Sequence, residues 1–292
     1  MNDLSGWKSP LAHAPQRALV EGFPGWVRQP LIPWFRTHLA PSQSWMDTSE
    51  LLAFQLATQS DHGFTAEEAH FPTTVVGWLQ KCDDDTFVQF LHFMLWLESE
   101  NGTRYSGVAV VEEVLSSAGS KWAAANVGGR SVLVERVPEG VLNSVTEALS
   151  GTDAASKKLQ EAWFDAFGTK PRPSVAYYTA VVAVENAALA VIPVNHPEPQ
   201  LSMLFSILEA DNPKWQLTLR DSEKAPGAKS LAAMLRTLFR GHDSRHGSPD
   251  DYKDVGIEQA RAAVMLAATL VWWFRSGVVV PVTTDGAATS QA

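Results

Sequence analysis

The sequence has only one cysteine, Cys82, and this excludes an internal disulfide and any zinc site made of several cysteines. Such scarcity is typical of proteins in a reducing compartment, so we expect a cytoplasmic protein. Long hydrophobic runs are also missing. The most apolar stretch, Ala262–Phe274, is shorter than the roughly 20 residues that a membrane-spanning helix needs. The first residues carry no basic segment followed by an apolar run, so we predict neither a signal peptide nor a membrane partner.

Charged residues are few, and the acidic ones prevail. Charged residues of both signs make up 19% of the chain, with 23 Lys and Arg against 32 Asp and Glu, which gives a formal net charge of −9. This balance argues against a protein that coats nucleic acid or an anionic membrane through its overall charge, but it leaves room for a local basic site. Hydrophobic residues reach 45% of the 292 residues, which is enough for a substantial core and for two domains.

The sequence motifs of the common enzyme classes are missing. We find no P-loop, no Gly-x-Gly-x-x-Gly after a strand, no Gly-x-Ser-x-Gly, no His-Glu-x-x-His and no set of kinase motifs. The sequence therefore indicates no phosphate-binding loop, no dinucleotide site and no metal-binding helix. We predict no cofactor and no metal site, and a small-molecule enzyme has the least support among the functions considered.

The hydrophobic periodicity predicts a mainly α protein made of two domains. Residues 1–150 are expected to form an N-terminal helical domain, regulatory or sensory, with one small β-hairpin at about 121–137 around a Gly-Gly turn. Residues 151–276 are expected to form a C-terminal helical bundle. A polar stretch with two prolines, 212–227, is expected to be a loop. Residues 277–292 are expected to form a flexible tail.

The segment 240–247, RGHDSRHG, concentrates cationic side chains in an acidic chain. It contains Arg240, His242, Arg245 and His246. Imidazole titrates near neutral pH and can move protons, and guanidinium binds phosphate through paired hydrogen bonds. These groups suit cleavage of an RNA strand, because a histidine can take the proton of the ribose 2′-hydroxyl while an arginine stabilises the charged phosphorane. The alternative is a solvated loop whose cations cap the C-terminus of the preceding helix.

Glu185 is the second candidate, because it stands alone as a charged residue in an apolar helix. A buried carboxylate has to be paired with a cation or remain neutral. The cluster at 240–246 is the richest source of partners, and Arg261 is another. The alternative is that Glu185 lies on a narrow exposed stripe beside Asn186.

Aromatic residues are concentrated in the predicted C-terminal domain. Unpaired nucleic-acid bases stack on exposed aromatic rings, so an RNA-binding surface is one interpretation. Packing in the core or in a dimer interface is the commoner role of such residues. The set consists of Trp163, Phe164, Phe167, Tyr177, Tyr178, Trp272, Trp273 and Phe274.

Three segments together resemble a known family. They are LQEAWFDAFGTKPRPSVAYYTAVVAVENAALAVI, LRTLFRGHDSRHG and EQARAAVMLAATLVWWF, which lie within residues 154–276. A helix with a central glutamate, a helix that leads into Arg-His-Gly, and an alanine-rich helix are similar to the abortive-infection C-terminal domain. That domain belongs with the HEPN (higher eukaryotes and prokaryotes nucleotide-binding) helical superfamily. The resemblance implies a small helical bundle that dimerises.

The resemblance also implies site residues. Many members of this superfamily are metal-independent ribonucleases of toxin and phage-defence systems, in which Arg-x4–6-His motifs meet across the dimer interface. Arg240 and His246 fit this spacing and end the match with Arg245-His246-Gly247; Arg236 and His242 have the same spacing. Glu185 stands where the abortive-infection domain tends to carry a helical glutamate.

These observations lead to two hypotheses. The first is a phage-defence or toxin-like endoribonuclease in which His246 is the general acid or base, Arg240 binds the phosphate, and Arg245 and Glu185 orient them. Its expected partners are RNA, a second copy of the chain, and a phage or host protein as trigger. The second is a non-catalytic interaction module with a structural Glu185–Arg245 ion pair. It is motivated by the acidic net charge and by Gly241, which stands where active relatives usually have a polar residue.

Overall fold

A computed structural model describes residues 19–39, 48–64, 72–101, 107–137, 145–240 and 254–282. The chain divides into two compact units between Arg136 and Val137. The fold is mainly α with a small β-hairpin, which confirms the predicted fold class. The domain boundary expected from the sequence, near residue 150, lies about a dozen residues after the division between the two units. The helical residues 145–149 belong to the second unit, where the side chains of Gln160 and Arg275 donate to the carbonyl oxygens of Leu149 and Ala148.

The first unit contains five helices and a hairpin among its described residues. Helix α4 begins after Asp83, whose carboxylate accepts hydrogen bonds of 2.8 Å from the backbone amide and the hydroxyl of Thr86. These bonds satisfy donors of the first helical turn, and they hold the pKa of Asp83 below its usual value. The elements are α1 (Gly25–Leu39), α2 (Thr48–Thr58), α3 (Pro72–Lys81), α4 (Asp84–Asn101), α5 (Gly107–Ser117), β1 (Trp122–Val127) and β2 (Arg130–Glu135).

The core of this unit is built around aromatic side chains. The ring of Phe35 on α1 stacks on Phe90 of α4 at 5.5 Å and meets Phe87 edge-on at 5.9 Å. Phe54 of α2 meets the edge of Phe90 at 5.0 Å. Such tilted and edge-to-face contacts are favourable beyond the apolar area that they bury. They fix α1 and α2 against α4 at the centre of the unit.

Arg28 is almost fully buried in α1, and each of its three guanidinium nitrogens donates a hydrogen bond. Its guanidinium donates to the carbonyl oxygens of Phe23, Leu79 and Cys82 at 2.5, 3.0 and 2.7 Å. It also pairs with Asp84 at 2.5 Å. A buried charge of this kind is tolerated only when hydrogen bonds replace its hydration. Arg28 therefore ties the start of α1 to the turn between α3 and α4.

The predicted hairpin is present, with Trp122 opposite Glu135 and Val127 opposite Arg130. Its turn residues Gly128 and Gly129 have φ of 61° and 81°, a backbone conformation that glycine adopts without strain. All of residues 131–134 are buried, instead of the alternation expected for a half-exposed strand. The reason is that α4 packs against β2 while α5 packs against β1, so that both faces are covered.

The second unit is a helical bundle with a short two-stranded ribbon. Asp153 caps the first helix, because its carboxylate accepts from the backbone amide and the hydroxyl of Ser156 at 3.0 and 2.9 Å. Pro173 stands at the first position of the next helix, where its missing N–H costs nothing. The elements are α6 (Ala154–Phe167), α7 (Pro173–Val191), α8 (Met203–Leu208), β3 (Trp215–Leu217), α9 (Gly227–Arg240), α10 (Ile257–Arg275) and β4 (Val279–Pro281).

Helix α7 is the centre of the bundle and packs against both α6 and α10. Its buried face carries alanines at helical spacing, and α10 has a similar stripe, so the two helices can approach closely. By length and apolar composition α7 is also a described helix that could cross a membrane, with half of its most apolar window buried. The buried alanines are Ala176, Ala180, Ala183, Ala187 and Ala188 on α7 and Ala260, Ala263, Ala267 and Ala268 on α10.

The ribbon of β3 and β4 corrects two predictions. Residues 212–227 are not entirely loop, and 277–292 are not entirely a flexible tail, because Trp215–Leu217 pairs antiparallel with Val279–Pro281. Residues 283–292 lie outside the described residues. Strands of three residues show no period that could be recognised, and their partners are more than 60 residues apart in sequence, so no local pattern predicts the pairing.

Candidate functional site

Arg240 is the last residue of α9, and it is exposed. Among the described residues, no carboxylate or carbonyl group holds its guanidinium. The other candidates of the cluster, His242, Arg245 and His246, lie outside the described residues. The structure therefore locates the point from which the cluster leaves α9, and the surroundings of that point define the candidate site.

The end of α9 is held by a tyrosine of α7. The hydroxyl of Tyr177 donates a buried hydrogen bond of 3.0 Å to the carbonyl oxygen of Leu238. The last four carbonyl groups of a helix have no partner within the helix, so the bond satisfies an acceptor that would otherwise be left without one. Burial raises the pKa of Tyr177 and favours its neutral, hydrogen-donating form.

A second contact with α7 is made by Asp254 and Val255, the first described residues after segment 241–253. The hydroxyl of Ser174 donates to the carboxylate of Asp254 at 3.1 Å, and the backbone amide of Val255 donates to the same hydroxyl at 3.3 Å. Because the helix begins at Pro173, Ser174 lies in its first turn, and its hydroxyl contacts Asp254 and Val255.

Segment 241–253 is thus flanked on both sides by contacts with the first two turns of α7. Ser174 and Tyr177 stand three residues apart and share a face of the helix. The end of α6 lies close by in the chain, so the ends of α6 and α9 and the starts of α7 and α10 meet at one end of the bundle. The sequence does not predict this arrangement, because the residues that form the two hydrogen bonds are 61 and 80 positions apart in the chain and leave no local pattern.

Two more arginines belong to this end of the bundle. Arg172, just before α7, donates to the nearly buried carboxylate of Asp165 at 2.7 Å, and its side chain remains 66% exposed. Arg261 of α10 lies over the ring of Phe167 at 5.5 Å and donates to the carbonyl oxygen of Ala166 at 3.3 Å. Arg172 and Arg240 thus present guanidinium groups to solvent at this end of the bundle.

Arg236, the alternative motif arginine, is engaged elsewhere. Its Nη2 donates to both carboxylate oxygens of Glu209, at 2.6 and 2.5 Å. Its guanidinium also lies over the ring of Phe205 at 4.7 Å, an arrangement that a planar cation favours. Arg236 therefore ties α9 to α8, while Arg240 has no such partner in the described part of the chain. This difference favours Arg240 in the motif.

Glu185 is half-buried, and its carboxylate accepts a hydrogen bond of 2.7 Å from the backbone amide of Leu201. It lies eight residues beyond Tyr177, about 12 Å along the helix axis. It forms no ion pair with an arginine of the described residues. The structure gives Glu185 a local role in holding the chain before α8, and it does not bring Glu185 to Arg240.

The aromatic set divides between core and surface. Trp163 is fully buried, with the ring of Phe167 tilted against it at a centroid distance of 4.4 Å, and Phe274 belongs to the core as well. Tyr178 differs, because 51% of it is exposed. Four of the eight aromatic residues are thus buried in the core, Phe164, Trp272 and Trp273 are half-buried, and Tyr178 is exposed at the surface.

A cleft of about 450 Å³ lies at the start of α9, where Trp215, Asp221 and Lys229 are among its lining residues. Lys229 is eleven residues before Arg240, about 17 Å along α9, so the cleft is separate from the candidate site. In the described part of the chain, no group of three His, Cys, Asp or Glu residues is arranged to hold a metal ion.

Comparison with family models, with curated proteins and with solved structures finds no match for this chain. The assignment of function therefore rests on the sequence and on the geometry at the α7 end of the bundle.

Proposed function

We propose that the second unit cleaves RNA without a metal ion, through Arg240 and His246. The observation that carries the proposal is the pair of contacts that flank segment 241–253, from Tyr177 to Leu238 and from Ser174 to Asp254. They hold Leu238 and Asp254, on either side of segment 241–253, against the first two turns of α7. Positioning on rigid elements is what a catalytic group needs, because small displacements reduce rates strongly.

In the proposed reaction, His246 takes the proton of a ribose 2′-hydroxyl. The 2′-oxygen then attacks the adjacent phosphorus, and the bond from phosphorus to the 5′-oxygen breaks. The leaving 5′-oxygen receives a proton from an imidazolium or from water, which yields a 2′,3′-cyclic phosphate and a 5′-hydroxyl end. Arg240 stabilises the negative charge that develops on the phosphorane. Arg245 assists in orienting the phosphate.

The proposed setting follows from the resemblance to the HEPN superfamily. Two copies of the chain would bring their motifs together, and the first unit would respond to a phage or host protein in the cytoplasm. Among the described residues, Glu185, to which the hypothesis gives a role in orienting these groups, accepts a hydrogen bond from the amide of Leu201; its expected partner Arg245 lies outside them.

The test is cleavage of RNA by purified protein in EDTA. Loss of a general acid or base lowers the rate by about 10²- to 10⁴-fold, and loss of a charge-stabilising donor by about 10²- to 10³-fold. We therefore expect losses of these sizes in His246→Ala and Arg240→Ala. Arg236→Ala is the matched control, because it removes an arginine from the same helix and should keep the activity. Equal activity in all four proteins, or none in any, rules out the proposal.

A second candidate is a non-catalytic module that binds protein or RNA with the same unit. Two observations favour it. The carboxylate of Glu185 accepts a hydrogen bond from the backbone amide of Leu201, which is a structural contact, and Gly241 follows Arg240 where active relatives usually have a polar residue. It predicts that RNA stays intact in the presence of the wild-type protein, while RNA or a protein from the same host binds. Cleavage that depends on His246 decides against it.

A further inference from the structure

Tyr178 is unusual among the aromatic residues of the second unit, because half of its surface is exposed to solvent. Its neighbour Tyr177 is only 5% exposed. Helix α7 is mostly buried and apolar, so an exposed tyrosine on it has no role in the core. Exposed tyrosines with one apolar and one polar end are common at binding surfaces.

The position of Tyr178 places it at the candidate site. It follows Ser174 by four residues and therefore lies on the same face, one turn further along α7. Ser174 holds Asp254, and Tyr177, adjacent to Tyr178, holds Leu238, two residues before Arg240. Tyr178 therefore lies in the second turn of α7, at the same end of the bundle as Arg240.

The charge at this end suits a phosphate backbone. Arg240 is exposed, and the side chain of Arg172 is 66% exposed although it pairs with Asp165. Lys170, two residues before Arg172, is also exposed. Proteins that bind single-stranded nucleic acid combine a cationic track for the backbone with aromatic rings on which bases stack.

We infer that Tyr178 is a base-stacking residue for single-stranded RNA, next to the phosphate that Arg240 binds. This inference rests on the proposed function and adds a substrate-binding residue to it. The stacked base would be unpaired, because a base within a duplex offers no free face to the ring. The protein would therefore bind single-stranded RNA in preference to a duplex.

A protein partner is the rival explanation for the exposed ring. Tyr178 continues a stripe of exposed and half-buried apolar residues on α7, formed by Val175, Val182 and Leu189. A leucine at position 178 would retain apolar bulk for a protein contact, but it would remove the aromatic face that a base needs. Tyr178→Leu therefore separates the two explanations. Leu189→Ala, about 16 Å further along the helix, serves as the matched control for the stripe.

The experiment measures binding of a short fluorescein-labelled single-stranded RNA by fluorescence anisotropy, at one fixed salt concentration. The probe carries 2′-O-methyl groups, which block the nucleophilic hydroxyl and keep it intact in the presence of the wild-type protein. We expect Tyr178→Leu to raise the dissociation constant about 5- to 150-fold. Tyr178→Phe, Tyr178→Trp and Leu189→Ala should bind like the wild type. Size-exclusion chromatography of each variant reports the oligomeric state.

Each outcome supports or overturns the inference. Weaker binding by Tyr178→Leu alone, at an unchanged oligomeric state, supports it. Wild-type affinity in Tyr178→Leu overturns it, while RNA binding and cleavage by the wild type leave the proposed function intact. Weaker binding in both Tyr178→Leu and Leu189→Ala with a changed oligomeric state assigns the ring to a protein contact and overturns it. Failure of the wild type to bind RNA overturns the inference and the proposed function together.

Discussion

The hydroxyl of Tyr177 donates a buried hydrogen bond of 3.0 Å to the carbonyl oxygen of Leu238, 61 residues further along the chain. The bond joins the second turn of α7 to the last turn of α9, from which the cationic segment departs. It replaces the water that the carbonyl group at a free helix end would bind. Tyr177 therefore acts as a positioning residue for Arg240.

Removal of this hydroxyl should destabilise the protein. In Tyr177→Phe the carbonyl oxygen of Leu238 stays buried without its donor, which costs about 1–3 kcal/mol of the free energy of unfolding. Tyr178→Phe removes the same atom from a neighbour that is 51% exposed, where water can replace a lost partner, so it should lower that free energy less than Tyr177→Phe does. Urea denaturation of the three proteins measures both values. Equal midpoints for Tyr177→Phe and the wild type would show that the bond contributes nothing.

The same hydroxyl predicts a dependence of stability on alkaline pH. Burial raises the pKa of Tyr177 above its ordinary value of 10.0, so the folded protein retains a proton that the unfolded chain releases. The contribution of the Tyr177 hydroxyl to the unfolding free energy is complete below pH 10.0, and it declines as the pH rises towards the pKa of the folded state. The difference in unfolding free energy between wild type and Tyr177→Phe should therefore shrink above pH 10.0. A difference that stays constant over this range contradicts the assignment.

Glu185 should matter for stability through its acceptor oxygen. In Glu185→Ala the backbone amide of Leu201 loses a charged partner at 2.7 Å, and we expect a loss of about 1.5–3 kcal/mol. Glu185→Gln keeps an acceptor oxygen in place and should recover part of this loss. Thermal and urea denaturation provide the measurement. The buried ion pair expected from the sequence would instead cost about 3–5 kcal/mol when broken, and glutamine would not restore it.

Arg28 provides a corresponding prediction for the first unit. Arg28→Met leaves the carbonyl oxygens of Phe23, Leu79 and Cys82 without this donor, so the unfolding free energy should fall by at least about 3 kcal/mol. The matched control is Lys121→Met, because solvent reaches the Lys121–Glu21 pair, with 28% and 76% of the two side chains exposed, and the pair is expected to contribute about 0–1 kcal/mol. Similar losses in the two variants, measured by urea denaturation, would refute the role given to Arg28.

Local sequence patterns were sufficient for most of the helices. The periodicity of apolar residues is that of amphipathic helices over α9 and α10, and Asp153 is of a residue type that caps helices at the start of α6, because helix caps and amphipathic faces involve residues three or four positions apart. The Gly128-Gly129 turn predicts the hairpin for the same reason. The short strands β3 and β4 were missed, since their pairing joins segments more than 60 residues apart.

The candidate site was only partly visible in the sequence. The composition of segment 240–247 points to chemistry on phosphate, but it does not show what holds the segment. Glu185 illustrates the limit most clearly. Its isolation in an apolar helix predicts a partner, and the sequence offers arginines, whereas the structure supplies the amide of Leu201. A backbone donor carries no signature in the sequence, since every residue except proline has one.

The sequence by itself determined that this protein is mainly helical, that its first part carries a hairpin, and that one short segment is cationic in an acidic chain. These properties depend on residue type and on neighbours within a few positions. Only the tertiary structure decided that Tyr177 and Ser174 hold the chain on either side of that segment, and that Tyr178 remains at the surface. Those contacts arise when α7, α9 and α10 pack together, and packing depends on shape and distance in space, which residue order alone does not display.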